Sequence, residues 1–229
     1  MEKSSLTDFG GKMDSSERYQ QLGEALGLLR RHLLLDQLDD SAILEEEIYT
    51  RVRAFLVLAH AEIESFIEDR VKEVVLKANK IWKNDQKVSK SLLALLAFSG
   101  REMEKPAPSL NPARAAPQTK WDKKLSLTER INIATRAFHD VLNNNHGIKE
   151  ENLLHLLLPI GIEVNDLDIL WLTNMNDFGK KRGEIAHLSF YKTQYQIEPK
   201  NEYDKIFFLL EGLETLDKTL ETFLENMGA

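Results

Sequence analysis

The chain has 229 residues, 42% of them hydrophobic, enough for one large domain with a filled core. It contains no cysteine, which excludes disulfides, thiolate metal sites and a cysteine nucleophile. A net charge of −7 argues against a general nucleic-acid coat protein, although a local basic site is compatible with it.

Six prolines and eleven glycines are few, so long helices are favoured over a turn-dense β fold. No apolar run reaches bilayer length, and the start Met-Glu-Lys-Ser-Ser lacks a signal-peptide core; the expectation is a soluble cytoplasmic protein without membrane contact. Residues 1–13 read as a loose tail, and 14–229 as a single domain.

Asp14 and Glu17 form a capping box that predicts a helix to about residue 37, with Leu22, Leu26, Leu29 and Leu33 as its buried stripe. Asp39-Asp40-Ser41 interrupts, and a long second helix extends to about Lys83. In it Ile48, Val52, Phe55, Leu56, Ala59, Ile63, Phe66, Ile67, Val71, Val74 and Val75 recur at three- and four-residue steps. About 40 residues would span roughly 60 Å, so this helix either kinks or projects into a partner. Ser89 to Ser99 predicts a short apolar helix. Residues 101–124 hold four of the six prolines (Pro106, Pro108, Pro112 and Pro117) and read as an inserted loop.

Ser126 and Glu129 form another capping box, opening a helix through Ile131, Ala134, Phe138 and Val141 that Asn143-Asn144-Asn145-His146-Gly147 ends. A short helix over 150–158 stops at Pro159 and Gly161. Asn165-Asp166 is expected to cap the next segment, with Leu167, Leu170, Trp171, Asn174 and Phe178 on one side. An extended connector from 188 closes at Pro199. Asn201 then caps a last helix in which Leu209, Leu213, Leu216, Leu220 and Phe223 form a heptad-like seam.

Few residues carry chemistry. The six histidines make no His-Glu-x-x-His pair, and neither a phosphate loop nor a nucleophile elbow is present, so no metal and no cofactor is expected. His60 and Glu64 stand one helical turn apart; they form a helix-surface or half-buried pair, or Glu64 reaches the arginine of a later motif. That motif is Arg182-Gly183-Glu184-Ile185-Ala186-His187, preceded by Lys180-Lys181. With Lys192 against Glu184 alone, the neighbourhood carries a local charge excess of about +3.

A titratable imidazole beside a fixed cation suits metal-free cleavage of RNA. On a regular helix, however, residues five apart are turned about 140° from one another. Either Gly183 bends the backbone, or a two-fold axis brings both residues of two copies around one phosphate. The second arrangement is the expectation.

The Arg-x-x-x-x-His motif ending in Ile-Ala-His, late in a helical chain, resembles the HEPN superfamily. Ala61-Glu62-Ile63-Glu64-Ser65-Phe66-Ile67-Glu68 is similar to the long second helix of RiboL-PSP-HEPN members, where an acidic residue lies two before an aromatic. The likeness spans roughly residues 40–225.

It implies an all-α antiparallel helical bundle and a homodimer with the motif at its interface. It also implies a metal-independent endoribonuclease acting as a toxin or effector in prokaryotic toxin–antitoxin or antiviral defence. RNA and an antitoxin or other defence protein would be its partners. Arg182 and His187 take the catalytic places, Glu64 and Glu184 supporting ones, and Lys180, Lys181 and Lys192 contact RNA. One departure stands: Gly183 occupies a position usually polar in the family. A non-catalytic helical module that binds nucleotide, RNA or protein is the alternative.

Overall fold

The computed structural model describes residues 15–34, 46–100, 126–187 and 199–227. The expected tail, the loop over 101–124, the connector after 187 and Lys192 lie outside the described residues. Within them are seven α-helices and two 3₁₀ turns. The helices are α1 (Glu17–Leu33), α2 (Glu46–Asp85), α3 (Lys90–Ser99), α4 (Leu127–Asn143), α5 (Glu150–Leu157), α6 (Ile169–His187) and α7 (Pro199–Asn226). Among the described residues the regular structure is all helical, as the periodicity requires.

Helix α2 is the axis of the bundle, and every other α-helix packs against it. It is one uninterrupted helix. Its stripe from Val52 to Val75 is almost completely buried, and Ala78 and Trp82 extend the burial toward the C-terminal end. The chain's own helices therefore cover it, and projection into a partner is not what its length serves. Burying each large side chain of this stripe contributes about 1.5–3 kcal/mol, which sets α2 as the element the others must dock on.

The helix ends refine the sequence reading. Helix α1 is capped by Ser16, whose hydroxyl accepts from the Tyr19 N–H at 3.1 Å; it ends at Leu33, short of the expected residue 37. Ser126 occupies the cap position of α4 but makes no side-chain cap bond, and Glu129 instead pairs with Arg136 at 2.9 Å. The buried side of α4 ends on Leu142, not on Val141, which is exposed.

A 3₁₀ turn over Val164–Asp166 precedes α6, and its cap is Asp168, which accepts from the N–H groups of Leu170 and Trp171. Helix α7 begins at Pro199, so Asn201 lies in its first turn and is not its cap; proline suits that place because its missing N–H is unsatisfied there anyway. No helix among the described residues is long and apolar enough to cross a membrane.

A buried arginine fixes α2 to α7. Arg70 on α2 is buried, its Nε 2.9 Å from Asp217 Oδ1, and its guanidinium also pairs with Glu73 and Glu221. Asp217, fully buried, accepts from the Ser16 N–H and hydroxyl at 2.8 and 2.7 Å, so one carboxylate joins α1, α2 and α7.

Candidate functional site

Helix α6 carries the Arg-His motif, and its register is set by packing. Trp171, Leu172, Met175 and Phe178 are buried. Leu170, expected on the buried side, is 60% exposed, and Asn174 turns its amide back to the Leu170 carbonyl. Trp171 fixes the start of the helix against α7, donating its indole N–H to the Leu209 carbonyl at 3.2 Å. A Cβ on Gly212 would lie 2.0 Å from Trp171 Cδ1, so only glycine admits the ring there. At the other end, Lys181 Nζ lies 2.6 Å from Glu202 Oε1 on the first turns of α7. The two helices therefore run antiparallel, tied at both ends.

Following that stripe by three- and four-residue steps, position 182 comes next after 178. Arg182 thus ends the α2-facing stripe at the molecular rim, its side chain 29% exposed. Its Nη2 lies 4.0 Å from Glu64 Oε2. His60 Nδ1 lies 3.5 Å from the same oxygen, and its ring is tilted against Phe178 at a centroid distance of 5.8 Å. Glu64 thus lies near both His60 and Arg182, the two residues the sequence offered it.

Burial pushes the His60 pKa down to about 4, helped by the Arg182 cation. His60 is therefore neutral at pH 7, and its contact with Glu64 is not an ion pair. Glu64 is moved the other way: burial and the neighbouring Glu68 carboxylate raise its pKa, while the charges of Arg182 and His146 oppose the rise.

The Arg182 guanidinium and the Glu64 carboxylate face each other beyond hydrogen-bond distance, in a half-buried setting. Such a cation can accept a second anion, a phosphate in particular, at modest desolvation cost.

Gly183 does not bend the helix. Helix α6 is continuous from Ile169 to His187, and the positive-φ glycine among the described residues is Gly161. A Cβ at Gly183 would meet nothing within 4 Å, so no neighbour demands glycine there. Ile185 still packs toward the core, and position 187 is turned about 200° from it. The register thus separates positions 182 and 187 within one chain.

Of the remaining residues, Glu184 and Lys180 are exposed, Lys180 Nζ standing 3.7 Å from Asp177. Lys181 fastens α6 to α7 through buried Glu202, which Lys205 also reaches at 3.0 Å.

The structure adds residues that the sequence reading treated only as a helix stop. Asn145 donates to Glu68 Oε1 at 2.7 Å across 77 positions of chain, and His146 beside it is close enough for its charge to act on Glu64. No spacing rule announces such a contact. Among the described residues, no group of three or more histidines and acids is arranged to hold a metal ion.

The sequence model of the RiboL-PSP-HEPN family matches residues 27–222. Neither the curated proteins nor the solved structures include one that matches this chain.

Proposed function

We propose that this chain, which belongs to the RiboL-PSP-HEPN family, is a metal-independent endoribonuclease whose site is completed by a second copy of itself. HEPN domains are generally ribonucleases or nucleotide-binding modules. The enzymatic reading is supported chiefly by Arg182, a partly exposed guanidinium that faces Glu64 at 4.0 Å. Because a continuous α6 separates positions 182 and 187, Arg182 of one copy works with His187 of the other.

In this reaction His187 takes the proton of an RNA 2′-hydroxyl, and the 2′-oxygen attacks the adjacent phosphorus. Arg182 neutralises charge that develops on the phosphorane-like transition state. The P–O5′ bond breaks, leaving a 2′,3′-cyclic phosphate and a 5′-hydroxyl. Glu64 orients the Arg182 side chain, Lys180, Lys181 and Lys192 contribute positive charge for RNA, and Glu184 has a supporting role. The biological setting that fits is a toxin or effector of toxin–antitoxin or antiviral defence, restrained by a partner protein.

Labelled RNA incubated with the purified protein and excess chelator tests the reading. Cleavage with cyclic-phosphate ends, reduced on the order of 10²–10⁴-fold in His187→Ala, is the expected result. Cleavage within a few-fold of wild type in that variant rules out the assignment. Binding without cleavage supports the non-catalytic module, which Gly183 favours because it offers no polar group beside Arg182.

A further inference from the structure

The reaction above leaves one proton unassigned: the departing 5′-oxygen must gain one. We infer that His146 supplies it, as a second proton-transfer residue of the same site. The inference rests on the ribonuclease reading and names a residue of that site which the motif does not contain.

The placement of His146 is built by its neighbours. Buried Leu142 and Ile148 anchor the loop on both sides. Between them, Asn145 Nδ2 donates to Glu68 Oε1 at 2.7 Å and to the Gly147 carbonyl at 3.1 Å, while Asn152 Nδ2 donates to Asn145 Oδ1 at 3.0 Å. Glu68 stands one turn after Glu64 on the same face of α2. The asparagine clamp therefore holds this loop beside the turn of α2 that faces Arg182. The His146 charge acts on Glu64, the carboxylate that Arg182 also faces. Unlike His60, which is sealed in the core, the His146 side chain is exposed and can reach a bound RNA.

The proton count closes. His187 gains the 2′-hydroxyl proton as the P–O2′ bond forms; His146, entering as the imidazolium, gives its proton to O5′ as the P–O5′ bond breaks. Exchange with water resets both residues. In the two-fold arrangement each site then holds Arg182 and His146 from one copy and His187 from the other.

An RNA with a single bridging sulfur in place of the scissile 5′-oxygen separates the roles, because a thiolate departs without needing a proton. On ordinary RNA, His146→Ala should cleave about 10²-fold more slowly than wild type. On the sulfur substrate it should come within about threefold of wild type, whereas His187→Ala stays slow on both. His146→Gln, which keeps a polar side chain of similar reach, should follow His146→Ala.

Equal slowing of His146→Ala on both substrates, or activity near wild type on ordinary RNA, would overturn the inference while leaving the His187 reading intact. A wild-type protein that leaves RNA uncut would overturn both.

Discussion

Two arginines on neighbouring elements meet opposite fates. Arg70 is sealed between α2 and α7, with Asp217, Glu73 and Glu221 around its guanidinium. Arg182 ends a buried stripe at the rim and, among the described residues, faces the Glu64 carboxylate from 4.0 Å. The first has spent its interactions on holding helices together. The second keeps capacity for an anion that arrives from outside, which is the property a site for RNA needs.

The largest effect should come from breaking the sealed side. Arg70→Met leaves buried Asp217 without its cation, and loss of one partner of a buried pair costs about 3–5 kcal/mol. Urea unfolding should show it. A loss below about 1 kcal/mol would mean the network is structurally dispensable, and the contrast with Arg182 would disappear.

The Arg182 side should instead be sensitive to pH, through buried His60. Its folded pKa of about 4 lies below the ordinary 6.5, so between those values the unfolded chain binds a proton that the native one does not. Its contribution is complete above pH 6.5 and declines as pH falls toward 4, by roughly 3 kcal/mol at most. Glu64 shifts in the opposite sense, taking up a proton more readily when folded, and offsets part of that loss. His60→Leu should flatten the wild-type decline between pH 6.5 and 4. Equal slopes for the two proteins would remove His60 as its source.

The smallest effect sharpens the comparison within α6. Gly183→Ala adds a methyl group where nothing lies within 4 Å and relieves an interior helical glycine. Thermal unfolding should report a gain of about 0.5–1 kcal/mol. A loss of stability would show that the backbone at 183 is not the regular helix described.

The bundle was legible in the sequence where one pattern repeated many times. Of the eleven α2 positions at three- and four-residue steps, ten are buried and Ile48 packs partly against the core, because burial on one helix face imposes that period. Ends were harder to read. Asp14-x-x-Glu17 suggested the first cap, yet Ser16 holds it, partly through Asp217, a residue 201 positions away.

The candidate site divides in the same way. Arg182 and Glu64 could be paired from a motif and a helix period. His146 could not, since its place depends on Asn145 reaching Glu68 across the fold. Local rules describe a helix face; they carry no information about which loop closes over it.

Mixed dimers test most directly whether the site is shared. Arg182→Ala and His187→Ala proteins, each inactive alone, are unfolded together, refolded and assayed on RNA. If one copy supplies the arginine and the other the histidine, statistical reassortment restores about a quarter of wild-type cleavage, because each heterodimer keeps one intact site. If cleavage stays at the level of the separate variants while heterodimers demonstrably form, both residues act within a single chain and the account fails.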